Sequence, residues 1–281
     1  MKIGVFHSTS NNSEHAEALW SMYKGAKNLN IEAVWETKPC DCDVAVVWGI
    51  EKKLLPRTKI RREISERQKK HGGRVIVIEK GYIKRDEYYS AGYDSQNGWA
   101  DFNNYLSPPD RRELLDINIE TNLNGKHREN ILLCGQVPWD TSVQDINYKS
   151  WCKDIIKAVR QKSDKKIIFR PHPLGPEMDE CIDGIDDCEL SINKSIDFDI
   201  NRASCVLAYN SNSLVDAALK GVPVFAFNNG AMTWNIANKN LLKINNPNIS
   251  SSSFQWLNDI CYAQWTLQEM KSGKTLTHLL K

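Results

Sequence analysis

No apolar run in this 281-residue sequence approaches the ~18 residues of a membrane span, so a membrane-spanning helix is not expected. After Lys2 only IGVF precedes His7, too short for a signal-peptide core, and a cytoplasmic protein is expected. The eight cysteines (40, 42, 134, 152, 181, 188, 205 and 261) contain no Cys-x-x-Cys pair, and the six histidines no His-x-x-x-His. Several of the cysteines lie inside apolar segments such as ILLCG and SCVLAY, so reduced, mostly buried thiols and no structural metal are predicted. No internal repeat is evident. With 41% apolar and 26% charged residues, the composition excludes a disordered or fibrous chain.

What is present is length for two domains of about 100–150 residues each. The formal net charge of +2 conceals a basic segment, residues 52–74, with ten Lys or Arg and two Glu; its excess of +8 leaves the remainder at −6. A polyanion can dock on such a segment, Arg61, Arg62, Lys69 and Lys70 being its densest contacts. The plainer reading is a solvated helix face, because Ile60, Ile64 and Arg67 follow helical spacing.

Short β-branched runs at 2–8, 31–36, 43–49 and 74–81 alternate with helix-like segments at 13–29 and 57–71, the pattern of a parallel α/β sheet. Periodicity fades over 82–127, which reads as a long polar and aromatic loop with YYSAGYDSQNGWADF at 88–102, and 122–130 reads as a linker. Alternation resumes with strands at 131–136, 166–173, 188–191, 205–211 and 223–227 and helices near 147–162 and 213–220. The domains expected are therefore 1–126 and 127–281, two α/β domains in tandem, the second ending in a helical tail.

Two strands of the second half stop abruptly at polar residues. Ligands of open α/β sheets bind beyond the carboxyl ends of the strands, which puts FRPHP (169–173) and NSNS (210–213) at a candidate site. Asn210, Ser211, Asn212 and Ser213 lead into a helix whose free N–H groups suit a diphosphate, and Asp216, one turn inside, is placed to accept hydrogen bonds from ribose hydroxyls. Ser211 or Ser213 serves equally as a plain helix N-cap. Arg170 and His172 flank Pro171, and two prolines hold that exit extended, which aims both side chains at a pyrophosphate or leaves them as a rigid strand exit.

The segments CGQVPWDTSV (134–143), FRPHP and NSNSLVDAALKGVPVF (210–225) resemble the GT-B glycosyltransferases, in particular the capsule-polysaccharide and Kdo-transferase-like branch and the phage enzymes that glycosylate hydroxymethylated DNA bases. Asp216, Ala217, Gly221 and Pro223 fill the family's pattern of an acidic residue, a small residue and Gly-x-Pro. The acidic residue is Asp where Glu is commoner, and the loop has no glycine, so the donor's identity stays open. The resemblance implies two tandem Rossmann-like domains around a deep interdomain cleft. It also implies metal-independent transfer of a sugar from a nucleotide-diphosphate sugar, a UDP-sugar first, to a hydroxyl acceptor.

On that reading Gln136, Arg170, His172, 210–213 and Asp216 hold the donor. A carboxylate deprotonates the acceptor: Asp94 first, Asp101 second, Glu14 next. The acceptor expected is a 5-hydroxymethylpyrimidine in duplex DNA, contacted by Tyr93, Trp99, Arg61, Arg62, Lys69 and Lys70, and the host cytoplasm is the location for a phage-borne enzyme. A capsular or lipopolysaccharide acceptor, a nucleotide-sugar epimerase and a non-catalytic nucleotide-binding protein are the alternatives.

Overall fold

The computed structural model describes residues 1–7, 13–50, 59–121, 128–175, 182–183, 188–192 and 195–281. The chain opens with β1 (Lys2–Phe6), α1 (Ser13–Asn28), β2 (Glu32–Glu36), β3 (Val44–Trp48), α2 (Lys59–His71), β4 (Arg74–Lys80) and β5 (Tyr88–Tyr93), followed by α3 (Asp110–Leu114). It continues through β6 (Asn130–Cys134), α4 (Tyr148–Arg160), β7 (Ile167–Arg170), β8 (Cys188–Leu190), α5 (Ile196–Arg202), β9 (Ala203–Ala208), α6 (Ser213–Leu219) and β10 (Val224–Ala226). The C-terminal part holds α7 (Ser253–Cys261), β11 (Gln264–Thr266), α8 (Leu267–Ser272) and α9 (Lys274–Leu279).

Two compact units result: residues 1–111 with 258–281, and residues 112–257. This differs from the expected 1–126 and 127–281 because the tail belongs with the first unit. The tail is helical as expected, in α7, α8 and α9, but it also carries a strand: β11 pairs antiparallel with β5, Trp265 opposite Tyr89. Buried Gln264 ties the same region to the segment after β4, its Oε1 accepting from the N–H of Tyr82 at 2.8 Å and of Ile83 at 2.9 Å. Arg111, buried, closes the unit with hydrogen bonds to Glu269 Oε2 at 2.9 Å and to the Cys261 carbonyl at 2.6 Å.

In the first unit the sheet order is β2-β1-β3-β4-β5-β11, parallel from β2 to β4 and antiparallel beyond. Period-2 alternation sorts its side chains. Val46, Trp48, Ile76 and Ile78 join Leu19 and Met22 of α1 and Met270 and Leu276 of the tail in one core cluster. Ala45, Val47, Val75 and Val77 pack with Ile64 of α2 in another. The helix α8 lies hard against α1, since a Cβ at Gly25 would stand 2.1 Å from the Met270 carbonyl oxygen.

The second unit's sheet is parallel throughout, ordered β8-β7-β6-β9-β10, which is the 3-2-1-4-5 order of a Rossmann half. The expected strands and helices of this half are all present within a few residues of their predicted bounds. Its core is Ile131, Leu133, Ile156, Phe169, Leu207 and Phe225 with their neighbours.

The segment read as a long loop contains β5, six buried residues of the sequence YYSAGY. Tyr89, Ala91 and Tyr93 on one face join the core cluster under α1, and Tyr88, Ser90 and Gly92 on the other face are buried as well, as in a strand flanked on both sides. Of the segments expected to carry function, the first part of the basic run (51–58) and most of the linker (122–127) lie outside the described residues. Five of the seven described cysteines are buried and none of the seven is disulfide-bonded; Cys181 is outside the described residues. Among the described residues no cluster of three metal-binding side chains occurs, and no helix is long and apolar enough to cross a membrane.

Candidate functional site

In the second unit the strand order reverses between β6 and β9, which is where a parallel sheet opens a crevice at its carboxyl edge. The loops leaving the strands there are joined by one hydrogen-bond network. Asn210 Nδ2, just past β9, donates to the Ser142 carbonyl at 3.2 Å and to Asn228 Oδ1 at 3.3 Å. Gln136 Nε2, just past β6, donates to Ser142 Oγ at 2.9 Å, and that hydroxyl donates to Asp140 at 2.6 Å. Asn210 is 8% exposed, and its Oδ1 has no hydrogen-bond partner among the described residues. An unmatched buried acceptor costs about 1–3 kcal/mol, so this spot favours a ligand that brings a donor, such as a hydroxyl or a base N–H, over a phosphate.

Sequence placed Ser211, Asn212 and Ser213 at the entrance of α6, and the structure does the same. Asn212 occupies the cap in an α conformation, with no side-chain cap bond, while Ser211 Oγ accepts from the Ser213 N–H at 3.3 Å. Asp216 is half-buried in the first turn of this seven-residue helix. Gly221 closes α6 at φ +62°, a left-handed position that glycine adopts without strain, which explains the Gly-x-Pro reading. Behind the loop, burial pushes the Cys134 thiol up to about 12, which makes it an inert packing group.

Arg170 departs from expectation. Instead of pointing outward from a proline-held exit, its guanidinium donates to Asp199 Oδ2 at 2.7 Å, with Ser191 Oγ at 3.3 Å and donating in turn to Asp199 at 2.6 Å. Asp199, on α5, was missed because nothing near it in sequence marks it as a partner of residue 170. The His172 Nδ1 accepts from the Leu174 N–H at 3.1 Å, so in the neutral ring the proton is on Nε2.

The first unit has its own reversal, between β1 and β3. Around that carboxyl edge stand Glu14 and His15 from the first turns of α1, Trp48 ending β3, Lys80 ending β4, and Tyr89. Glu14 Oε1 accepts from Lys80 Nζ and, at 2.9 Å, from the Tyr89 hydroxyl. The Lys80 ammonium holds the Glu14 carboxyl below its ordinary value. His15 stacks on Trp48 with ring centroids 3.9 Å apart, and burial, aided by Arg61, pulls its imidazolium down, so the ring is neutral at pH 7. His15 was not singled out from the sequence; its place two residues inside a helix that follows a strand is the signal that was available.

Asp94 and Asp101 are elsewhere. Both bind Arg74, the first residue of β4, at 2.9 Å, and Asp94 also accepts the Val75 N–H at 2.9 Å. They therefore lie at the amino edge of the parallel strands, opposite the edge where ligands of such sheets sit. Tyr93 is buried, its hydroxyl donating to the Leu279 carbonyl at 3.1 Å and its ring covered by Arg74 at 3.8 Å, so it presents no face to an acceptor. Trp99 is half-buried at the end of a 3-10 turn at 97–99.

On α2 the basic run is partly matched: Arg62 pairs with Glu66 at 2.6 Å, Lys59 with Glu63 at 3.9 Å, and Arg67 with Asp41. Ile64 and Gln68 are buried, whereas Arg62, Lys69 and Lys70 are exposed and Arg61 is half-buried, the arrangement of an amphipathic surface helix.

No protein-family model matches the chain, and no curated protein matches its sequence. Solved structures do. The beta Kdo 2,4 transferase of Thermosulfurimonas dismutans KpsC is 12% identical, with 92% of this chain and 90% of that one covered at a TM-score of 0.56. The beta Kdo 2,7 transferase of the same KpsC is 13% identical over 99% of both chains at 0.52. A UDP-GlcNAc 2-epimerase of Methanocaldococcus jannaschii aligns at only 0.36, too distant to carry weight. At identities this low the likeness is one of fold, and the chain has the mixed α/β, GT-B-like fold of two Rossmann-like units.

Proposed function

We propose that the protein is a glycosyltransferase that moves a sugar from a nucleotide-diphosphate sugar, a UDP-sugar first, to a hydroxyl acceptor without a metal ion. The observation that carries this reading is the network of Gln136, Ser142 and Asn210 at the strand reversal of the second unit, with an unmatched Asn210 oxygen awaiting a donor group. Asn210, Ser211, Asn212, Ser213 and Asp216 bind the nucleotide, and His172 donates from Nε2 to the departing phosphate. Arg170 supports that edge through its buried ion pair with Asp199 rather than as a direct clamp. The fold likeness to the two KpsC transferases supports the assignment of fold and leaves the chemistry to experiment.

On the acceptor side, Glu14 replaces Asp94 and Asp101 as the proposed general base, because all three carboxylates are ion-paired but Glu14 stands at the carboxyl edge of the sheet and both aspartates at its amino edge. In the transfer the acceptor oxygen bonds the anomeric carbon, its proton passes to the Glu14 carboxylate, and the anomeric C–O bond breaks with its electron pair going to the nucleotide phosphate.

A saccharide hydroxyl, of the capsular or lipopolysaccharide kind, fits better than a hydroxymethylpyrimidine in DNA. The tyrosines that a flipped base would stack on, Tyr88, Tyr89 and Tyr93, are buried. The exposed Arg62, Lys69 and Lys70 are what favours the DNA reading.

The test is incubation with a panel of nucleotide sugars, separating released nucleotide and transferred sugar by mass spectrometry, with saccharide and hydroxymethylated-DNA acceptors supplied in parallel. Transfer to a saccharide is expected. Release of an epimerised sugar nucleotide assigns the epimerase alternative, and binding with neither reaction assigns a non-catalytic nucleotide-binding protein.

A further inference from the structure

The first unit carries a ladder of aromatic rings, partly resting on its core, that the proposed reaction does not use. His7, the residue after β1, stacks on Trp35 of β2 with centroids 4.4 Å apart and planes within 14°. Trp35 meets Trp20 of α1 edge-on at 5.1 Å, and Trp20 stacks on Tyr23 at 5.0 Å. Trp35 and Tyr23 rest partly on the core, but Trp20 lies outermost and is 42% exposed. Four linked rings with an exposed indole among them exceed what covering one edge strand requires, and exposed aromatic patches rimmed by polar groups mark binding surfaces.

The rim is polar in both senses. Lys24 Nζ lies 4.9 Å from the Trp20 ring centre and Lys27 Nζ 5.8 Å from that of Tyr23. At 100° per residue Glu17 falls on the same face of α1 as Trp20. Two ammonium groups and one carboxylate supply donors and an acceptor, which hydroxyl-rich pyranose rings need together. The C–H faces of such rings also match the negative face of an indole. A polyanion would need cations only, and the strongly basic surface of this protein is on α2 instead.

We propose that this ladder is a binding surface for a saccharide chain of low charge, whose near end reaches the carboxyl edge of the first unit's sheet at His7. The inference deepens the acceptor reading above, since an acceptor chain held along His7, Trp35, Trp20 and Tyr23 would present its terminal residue beside Glu14.

The experiment is a glycan array probed with the full-length protein and with Trp20→Ala, Trp20→Phe and Lys24→Ala/Lys27→Ala, thermal melting serving as the check on folding. Binding of at least one neutral chain is expected, falling tenfold or more in Trp20→Ala and retained in Trp20→Phe. No array binding by the parent, or binding that Trp20→Ala leaves unchanged, overturns the proposal. Binding of single-stranded oligonucleotide that Trp20→Ala abolishes, with no glycan bound, overturns it in favour of base stacking. The nucleotide-sugar panel is read separately: glycan binding through Trp20 with no nucleotide sugar consumed removes the transferase reading and keeps this surface, and the converse removes this surface alone.

Discussion

The Arg170 guanidinium and the Asp199 carboxylate meet at 2.7 Å with side chains only 12% and 5% exposed, so the strand exit that sequence marks for ligand contact is first a buried ion pair. Removing one partner of such a pair strands the other charge, at about 3–5 kcal/mol. Arg170→Ala and Asp199→Ala should each lower unfolding free energy in urea by roughly that amount, and Arg170→Met/Asp199→Leu by distinctly less. A stable Arg170→Ala protein with weakened UDP affinity would return Arg170 to direct phosphate contact.

Nucleotide contact should instead respond to Asp216 and Asn210. Losing a matched hydroxyl contact costs about 1–3 kcal/mol, so Asp216→Ala and Asn210→Ala should each bind UDP roughly tenfold or more weakly by calorimetry. If Asp216→Ala discriminates UDP from 2′,3′-dideoxy-UDP as the parent does, Asp216 does not touch the ribose.

These positions were legible because the strand-to-polar transition is local: LAYNSNS is written in consecutive residues, and the sheet turns it into an edge. The same locality explains what the sequence did not show. Asp94 sits in a turn-rich stretch, and only the pairing of Tyr93 with Ile76 sends it to the amino end of β4. The tail's allegiance rests on Gln264 opposite Ser90, a contact 174 positions apart in sequence that leaves no periodic trace. Charge density on α2 was visible, but its matching by Glu63, Glu66 and Asp41 depends partly on helix register and partly on a distant loop.

Acid should weaken the first unit through two histidines. Burial lowers the pKa of His15, which Glu14, Lys80 and Arg61 surround, and of His278, whose ring nitrogen lies 2.9 Å from the Phe102 carbonyl oxygen. The unfolded chain, titrating near the ordinary 6.5, binds protons that the folded form resists, so their contribution is full above that pH and is lost as pH falls below it. Urea midpoints measured from about pH 7.5 to about pH 5.5 should fall, before the carboxylates titrate, and should fall less in His15→Gln and His278→Gln. A flat midpoint over this window contradicts the buried neutral state of both rings.

For the base, the expected order of effects is set by the two edges of the first sheet. Glu14→Gln should leave donor affinity intact and lower transfer by about 100-fold, the usual cost of a lost general base. Asp94→Asn and Asp101→Asn, which loosen only the Arg74 cluster, should transfer within a few-fold of the parent and melt earlier. Single-turnover rates with saturating donor decide between them, and a hundredfold loss in Asp94→Asn with Glu14→Gln unaffected would restore the loop aspartate.

The acceptor class can be read from salt. Each phosphate neutralised by Lys or Arg gives a slope of about −0.9 in log affinity against log salt, so duplex DNA held by α2 would show a slope of several units. The favoured saccharide reading expects no measurable affinity for hydroxymethylated duplex at ~50 mM salt, and transfer to saccharide that is nearly independent of ionic strength. Replacing Arg61, Arg62, Lys69 and Lys70 together by Gln should then leave donor affinity and the salt dependence of transfer unchanged, because Arg62, Lys69 and Lys70 are exposed helix charges, which contribute little to stability, and lie away from the buried Ile64 and Gln68. A steep slope in the parent that the fourfold variant flattens would instead assign the basic helix to DNA and reverse the choice of acceptor.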